Sequence, residues 1–114
     1  MPLTTEGQNQ AISAIAPDQM SLHTGDPSDN GSANEANGGG YSRQACSFGA
    51  ASGGSKSLSA TVTFSVAGNA TPIDYTHYAL WEGATCVDKG TLASTKSMTE
   101  NGNIDVTTGS ISIT

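Results

Sequence analysis

The chain has 114 residues, a net charge of −6, 35% hydrophobic residues and only 12% charged residues. That length bounds one domain with a modest core. The scattered cations Arg43, Lys56, Lys89 and Lys96 do not form the clustered basic patch that binding to nucleic acid or an anionic membrane surface requires. With charge and hydrophobicity both low, the polar mass of the chain is Ser, Thr, Asn and Gly, which suits a turn-rich β-protein better than a charge-rich disordered one. The N-terminus shows no basic segment followed by an apolar core. No run approaches a membrane span, so the expected site of synthesis is a cytosol.

Residues 1–18 read as an N-terminal helical segment. Thr5 and Gln8 have capping-box spacing, Ala11, Ile12, Ala14, Ile15 and Ala16 form a small apolar face, and Pro17 ends it. A helix this short is unstable alone and must dock on its own domain or a partner. Residues 19–114 read as one β-domain. Met20, Leu22 and Thr24 alternate with polar neighbours, and Arg43 to Phe48 suits a further strand. From Ser57 to Val66 every even position is apolar and every odd one is Ser or Thr, which predicts one strand with a buried and a solvated face. Ile73 to Glu82 predicts another, with Ile73, Tyr75, His77, Ala79 and Trp81 on one face and Tyr78 and Leu80 on the other. Gly83 to Thr85 turns the chain into Cys86–Ala93, completing a hairpin. Asn101-Gly102 is a strong turn signal, with closing strands at Asn103–Val106 and Ser110–Thr114. The fold class expected is all-β: an antiparallel β-sandwich or small barrel.

Between the first two strands lies a Gly/Asn/Ser-rich insertion, residues 25–40, with no periodicity and no apolar residue larger than Ala or Pro. Loops of this length are functional or disordered, and Gly38-Gly39-Gly40 reads as a flexible exit. Asp26, Ser28 and Asn30, followed by Gly31, have the opening spacing of a calcium loop, but its twelfth position is Asn37 instead of a bidentate Glu. Asp26, Asp29, Asn30 and Glu35 are therefore weak metal candidates, and turn chemistry explains the same residues.

No catalytic constellation emerges. There is no Gly-x-Ser-x-Gly elbow. His77 reads as packed or surface histidine within a strand, and His23 as surface loop chemistry beside Asp26 and Asp29. Cys46 and Cys86 stand 40 positions apart with no zinc-type spacing. They could form one disulfide, though strand-like surroundings favour two packed thiols. The aromatics Tyr41, Phe48, Phe64, Tyr75, Tyr78 and Trp81 read either as core filling or as a carbohydrate or subunit contact surface; Trp81 reads as core, and Tyr78, on the opposite face, as either. No cofactor is expected, and the chain is not expected to be an enzyme.

Leu22-His23-Thr24-Gly25-Asp26-Pro27, Asn34-Glu35, Gly39-Gly40-Tyr41-Ser42-Arg43-Gln44, Gly49-Ala50-Ala51-Ser52-Gly53-Gly54, Thr76 through Thr85 and Gly90-Thr91-Leu92 form an ordered series. The series resembles a family of small tailed-bacteriophage virion structural proteins, of capsid-decoration or minor-tail type. It covers roughly Met20 to Leu92; the cysteine pair and the C-terminal segment lie outside it. The resemblance implies a non-enzymatic β-rich virion part with no catalytic residues to carry over, made in the bacterial host cytoplasm.

The leading expectation is a capsid decoration protein on the outside of the shell. Its expected partners are the major capsid protein and further copies of itself, as a trimer at three-fold positions, with no nucleic acid and no membrane. Ile12, Ile15, His23, Asp26, Asn34, Glu35, Tyr41, Arg43 and Tyr78 are the candidate contact residues. The alternatives are a minor tail or fibre-associated protein contacting the host surface, then a carbohydrate-binding module, and last a small hydrolase.

Overall fold

A computed structural model describes residues 4–107 and 110–112. One helix precedes eight strands among these residues: α1 (Thr5–Ala14), β1 (Gln19–His23), β2 (Gln44–Ala45), β3 (Ser55–Ser57), β4 (Val62–Val66), β5 (Ile73–Glu82), β6 (Thr85–Met98), β7 (Gly102–Val106) and β8 (Ser110–Ser112). A four-stranded sheet in the order β2-β1-β5-β6 packs against the ribbon β4-β7, a second ribbon β3-β8 adjoins α1, and all pairs are antiparallel. The result is an open sandwich, not a closed barrel, elongated to 50 × 25 × 24 Å. No helix among the described residues is long and apolar enough to cross a membrane.

The core forms where the sheet's inner face meets the β4-β7 ribbon. Met20, Leu22, Tyr75, Tyr78 and Leu80 pack with Val62, Phe64, Val66, Ile104 and Val106. On β4 and β7 burial alternates as the sequence pattern demands, and the outward residues pair across the ribbon: Thr63 donates to Asp105 at 2.7 Å, and Ser65 to Asn103 at 3.2 Å.

The helix caps one end of this core. Its N-cap is Thr4, one residue before the expected cap, and the Thr4 hydroxyl accepts from the Gly7 amide at 3.1 Å. Ile12 is its one buried residue. Two polar tethers hold α1 to the β3 region: Asn9 accepts from the Gly54 amide at 2.8 Å, and the nearly buried Lys56 ammonium donates to the Ile15 carbonyl just past the helix end. A cation there satisfies an orphan carbonyl and opposes the negative end of the helix dipole.

Three strand expectations need correction. The single strand expected from Ser57 to Val66 is two, because the chain changes partner partway. Around Leu58 it bonds to the 47–49 segment (Gly49 amide to Ser57 carbonyl, Ser59 amide to Ser47 carbonyl, both 2.9 Å), and from Val62 it pairs with β7. Alternation survives such a corner, so it does not reveal one. In β5 a register shift between Tyr75 and His77 places Tyr75 in the core with Tyr78 and Leu80, against the expected parity. Finally, β6 runs on to Met98. After Thr91 pairs with His77, Leu92–Thr95 bulge out opposite Thr76, and pairing resumes at Lys96 with Tyr75. Cys46 and Cys86 are both free thiols, and burial pushes Cys46 up to about 11.

Candidate interaction surface

The insertion at residues 25–40 is ordered and folds back over the sheet's outer face. Strand β1 explains why. Met20 and Leu22 point into the core, so Ser21 and His23 point the other way, yet both are 0% exposed. Something must cover them, and the insertion does. It leaves β1 at Thr24, crosses the outer face and returns beside β1. There the Thr24 amide donates to the Asn34 carbonyl at 2.9 Å and the Ala36 amide to the Leu22 carbonyl at 2.8 Å. Residues 34–36 and β2 thus share the outer edge of β1.

Small residues let the loop lie close. Gly31 has φ +73, and a Cβ there would stand 2.7 Å from the Trp81 ring and 2.8 Å from the Cys86 sulfur. Gly39, at φ +66, presses on the end of β4, where a Cβ would fall 2.4 Å from the Ala67 nitrogen. The triple glycine is therefore a left-handed turn at close approach, not a flexible exit. Pro27 and Ala36 are the loop's buried apolar anchors.

Beneath the loop runs a polar relay. Trp81 Nε1 donates to Ser21 Oγ at 2.8 Å, Ser21 Oγ lies 2.7 Å from His23 Nε2, and His23 Nδ1 lies 2.7 Å from the Ala33 carbonyl. Beside it sits an ion-pair clamp. Arg43 meets the Glu35 carboxylate through Nε at 3.0 Å and Nη2 at 2.9 Å, and Tyr41 Oη donates to the same carboxylate at 2.7 Å while accepting from the Leu22 amide at 3.1 Å. The Arg43 guanidinium carbon stacks 3.8 Å from the Trp81 ring centroid, and Tyr41 stacks on Phe64 at 6.0 Å. Arg43 holds Glu35 below the usual carboxylate range, and burial pushes the Tyr41 phenol upward.

At the loop tip, Asn30 Oδ1 accepts from Ser28 Oγ, Ser32 N and Ser32 Oγ at 2.9, 3.1 and 2.7 Å. Asp26 accepts from Lys89 on β6 at 2.9 Å, and Asp29 lies 3.8 Å from the same ammonium. Asn34 Nδ2 donates to the Asp26 carbonyl at 3.0 Å. The weak metal candidates are thus held apart: Asp26 and Asp29 face Lys89, Asn30 braces the turn, and Glu35 faces Arg43. Among the described residues no three His, Cys, Asp or Glu side chains gather at one point.

The expected contact residues divide accordingly. Ile12, His23 and Tyr78 are buried, so their side chains do not reach the surface; Tyr78 packs against Gly90 in the core. His23 in particular is not surface loop chemistry. Ile15 is half-buried against the core. Glu35, Tyr41 and Arg43 form the clamp, and Asp26 and Asn34 stay exposed at the tip. Sequence reasoning missed Ser21 and the relay role of Trp81. The available signal was parity: residues between Met20 and Leu22 must face the opposite side of the sheet.

Comparison with known proteins gives one family. The model of the family described as Podophage GP4 fiber I protein gp80 matches residues 8–114. No curated protein and no solved structure matches the chain.

Proposed function

The chain belongs to the podophage GP4 fiber I protein gp80 family, a family of phage virion structural proteins, and on that premise we propose that it is a non-enzymatic structural subunit of a virion fibre. The observation that carries this reading is the extent of the match, which runs from within α1 through every strand. A 50 Å elongated body suits an appendage. Its surface for neighbouring virion subunits or the host is the ordered tip of the outer loop, where Asp26, Ser28, Asp29, Asn30 and Ser32 are exposed on a braced backbone. A tip already braced by its own hydrogen bonds has less entropy to lose on binding.

Copy number and location test the reading together. Quantitative mass spectrometry of purified virions, with cryo-electron microscopy of virions carrying a tagged chain, should find the low copy number of an appendage and label confined to fibres. Hundreds of copies spread over the shell would instead establish the capsid-decoration role and overturn the fibre assignment.

A further inference from the structure

Two fully buried polar side chains, Ser21 and His23, lie between the sheet and a loop with few apolar anchors. The relay they form has a direction. A carbonyl only accepts, so His23 Nδ1 carries a hydrogen and donates to Ala33. In the neutral ring Nε2 then accepts from the Ser21 hydroxyl, which itself accepts from Trp81 Nε1. Every polar atom is satisfied, and only by a neutral imidazole. A second proton on Nε2 turns that nitrogen into a donor. Ser21 Oγ would then accept from both Trp81 and His23, and its own hydrogen would point at no acceptor in a site closed to water.

The surrounding charges do not rescue the cation. Glu35, on the returning arm of the loop, favours it, but that carboxylate already serves Arg43 and Tyr41. Arg43, beside β2, and His77, the cross-strand neighbour on β5, both oppose it. On the β6 side, Lys89 is held by Asp26 at the loop's far end. Burial outweighs the remaining influences and lowers the ring's proton affinity from its ordinary 6.5.

We propose that His23 is the pin of an acid-sensitive latch, whose protonation frees residues 24–36 from the outer face of the sheet and uncovers Trp81. A histidine whose folded value is depressed binds fewer protons closed than open. Closure is therefore complete above 6.5 and is lost as pH falls from there through the depressed value. In that window Asp26 and Glu35 stay ionised, because their partners Lys89 and Arg43 hold both below ordinary carboxylate values. The latch is a property of the fold and does not depend on where in the virion the chain sits.

The full chain supplies its own reporter, since Trp81 is its one tryptophan. Amide exchange, tryptophan emission and the imidazole resonances of His23 are followed from about pH 7.5 to about pH 5. As the ring takes up its proton, protection at the Thr24 and Ala36 amides should fall by up to about tenfold per pH unit. Trp81 emission should shift to the red over the same range, and β4 and β7 should keep their protection. His23→Gln should abolish the transition, and His77→Asn should leave it in place. Overturning results are protonation of His23 with the loop amides still protected, a transition that survives His23→Gln, or one that disappears with His77→Asn. If His23→Gln does not fold, the wild-type comparison of ring titration with amide exchange decides alone.

Discussion

The two faces of β1 are buried equally by opposite means. Met20 and Leu22 meet apolar side chains from β4, β5 and β7, and need only shape and volume. Ser21 and His23 are just as inaccessible, but each must find hydrogen-bond partners, and those come from Trp81 and a loop carbonyl. The inner face draws its stability from the hydrophobic effect, which tolerates approximate packing. The outer face depends on a few directional contacts and fails by single atoms.

The largest test of that contrast is Leu22→Ala. A cavity in this core should cost about 3 kcal/mol of global stability, read as a lower urea midpoint with an unchanged slope. Next comes Gly31→Val. A β-branched residue at positive φ, with its Cβ 2.7 Å from Trp81, should lift the loop and cost about 2 kcal/mol. Trp81 emission should then shift while the inner-face amides keep their exchange protection; equal loss on both faces would show that the loop is integral to the core. The smallest effect belongs to Glu35→Gln. Its pair with Arg43 is partly solvated, at 23% and 33% side-chain exposure, so the loss should be about 1 kcal/mol or less. Because Arg43 depresses the Glu35 value, that contribution is present at neutral pH and disappears as pH falls through the lowered value. An unfolding series in acid should show the wild type converging on the variant.

The inner face was legible in the sequence because its code is periodic. Val62, Phe64 and Val66, and later Ile104 and Val106, declare their orientation by alternation alone, whereas Asn101-Gly102 closes no hairpin, because Gly102 already belongs to β7 and pairs with Val66 of β4. Ile12 marked the helix's buried face, but the helix ends at Ala14, with Ile15 already extended, so it stops short of the Ile15, Ala16 and Pro17 end that was expected. What alternation cannot carry is a change of partner or parity. The corner near Leu58 and the shift at Thr76 leave the pattern intact while altering what it faces.

The outer face was illegible for another reason. Its covering loop has almost no apolar side chains, so composition reads as mobility, although Gly31 and Gly39 are small because Trp81 and the end of β4 lie against them. His23 read as exposed because its neighbours are polar, and its burial follows only from the loop's return beside β1.

The interruption of β6 at Leu92–Thr95 bears on how the chain guards its sheet against edge-to-edge pairing. β6 is the outermost strand of the larger sheet. An unbroken outermost strand of that length would present a straight comb of amides and carbonyls to every neighbour, and crowding would favour indefinite stacking of chain on chain. The four residues that swell out opposite Thr76 divide that comb into two short, offset runs. Polymerisation through the backbone of this edge loses its straight template.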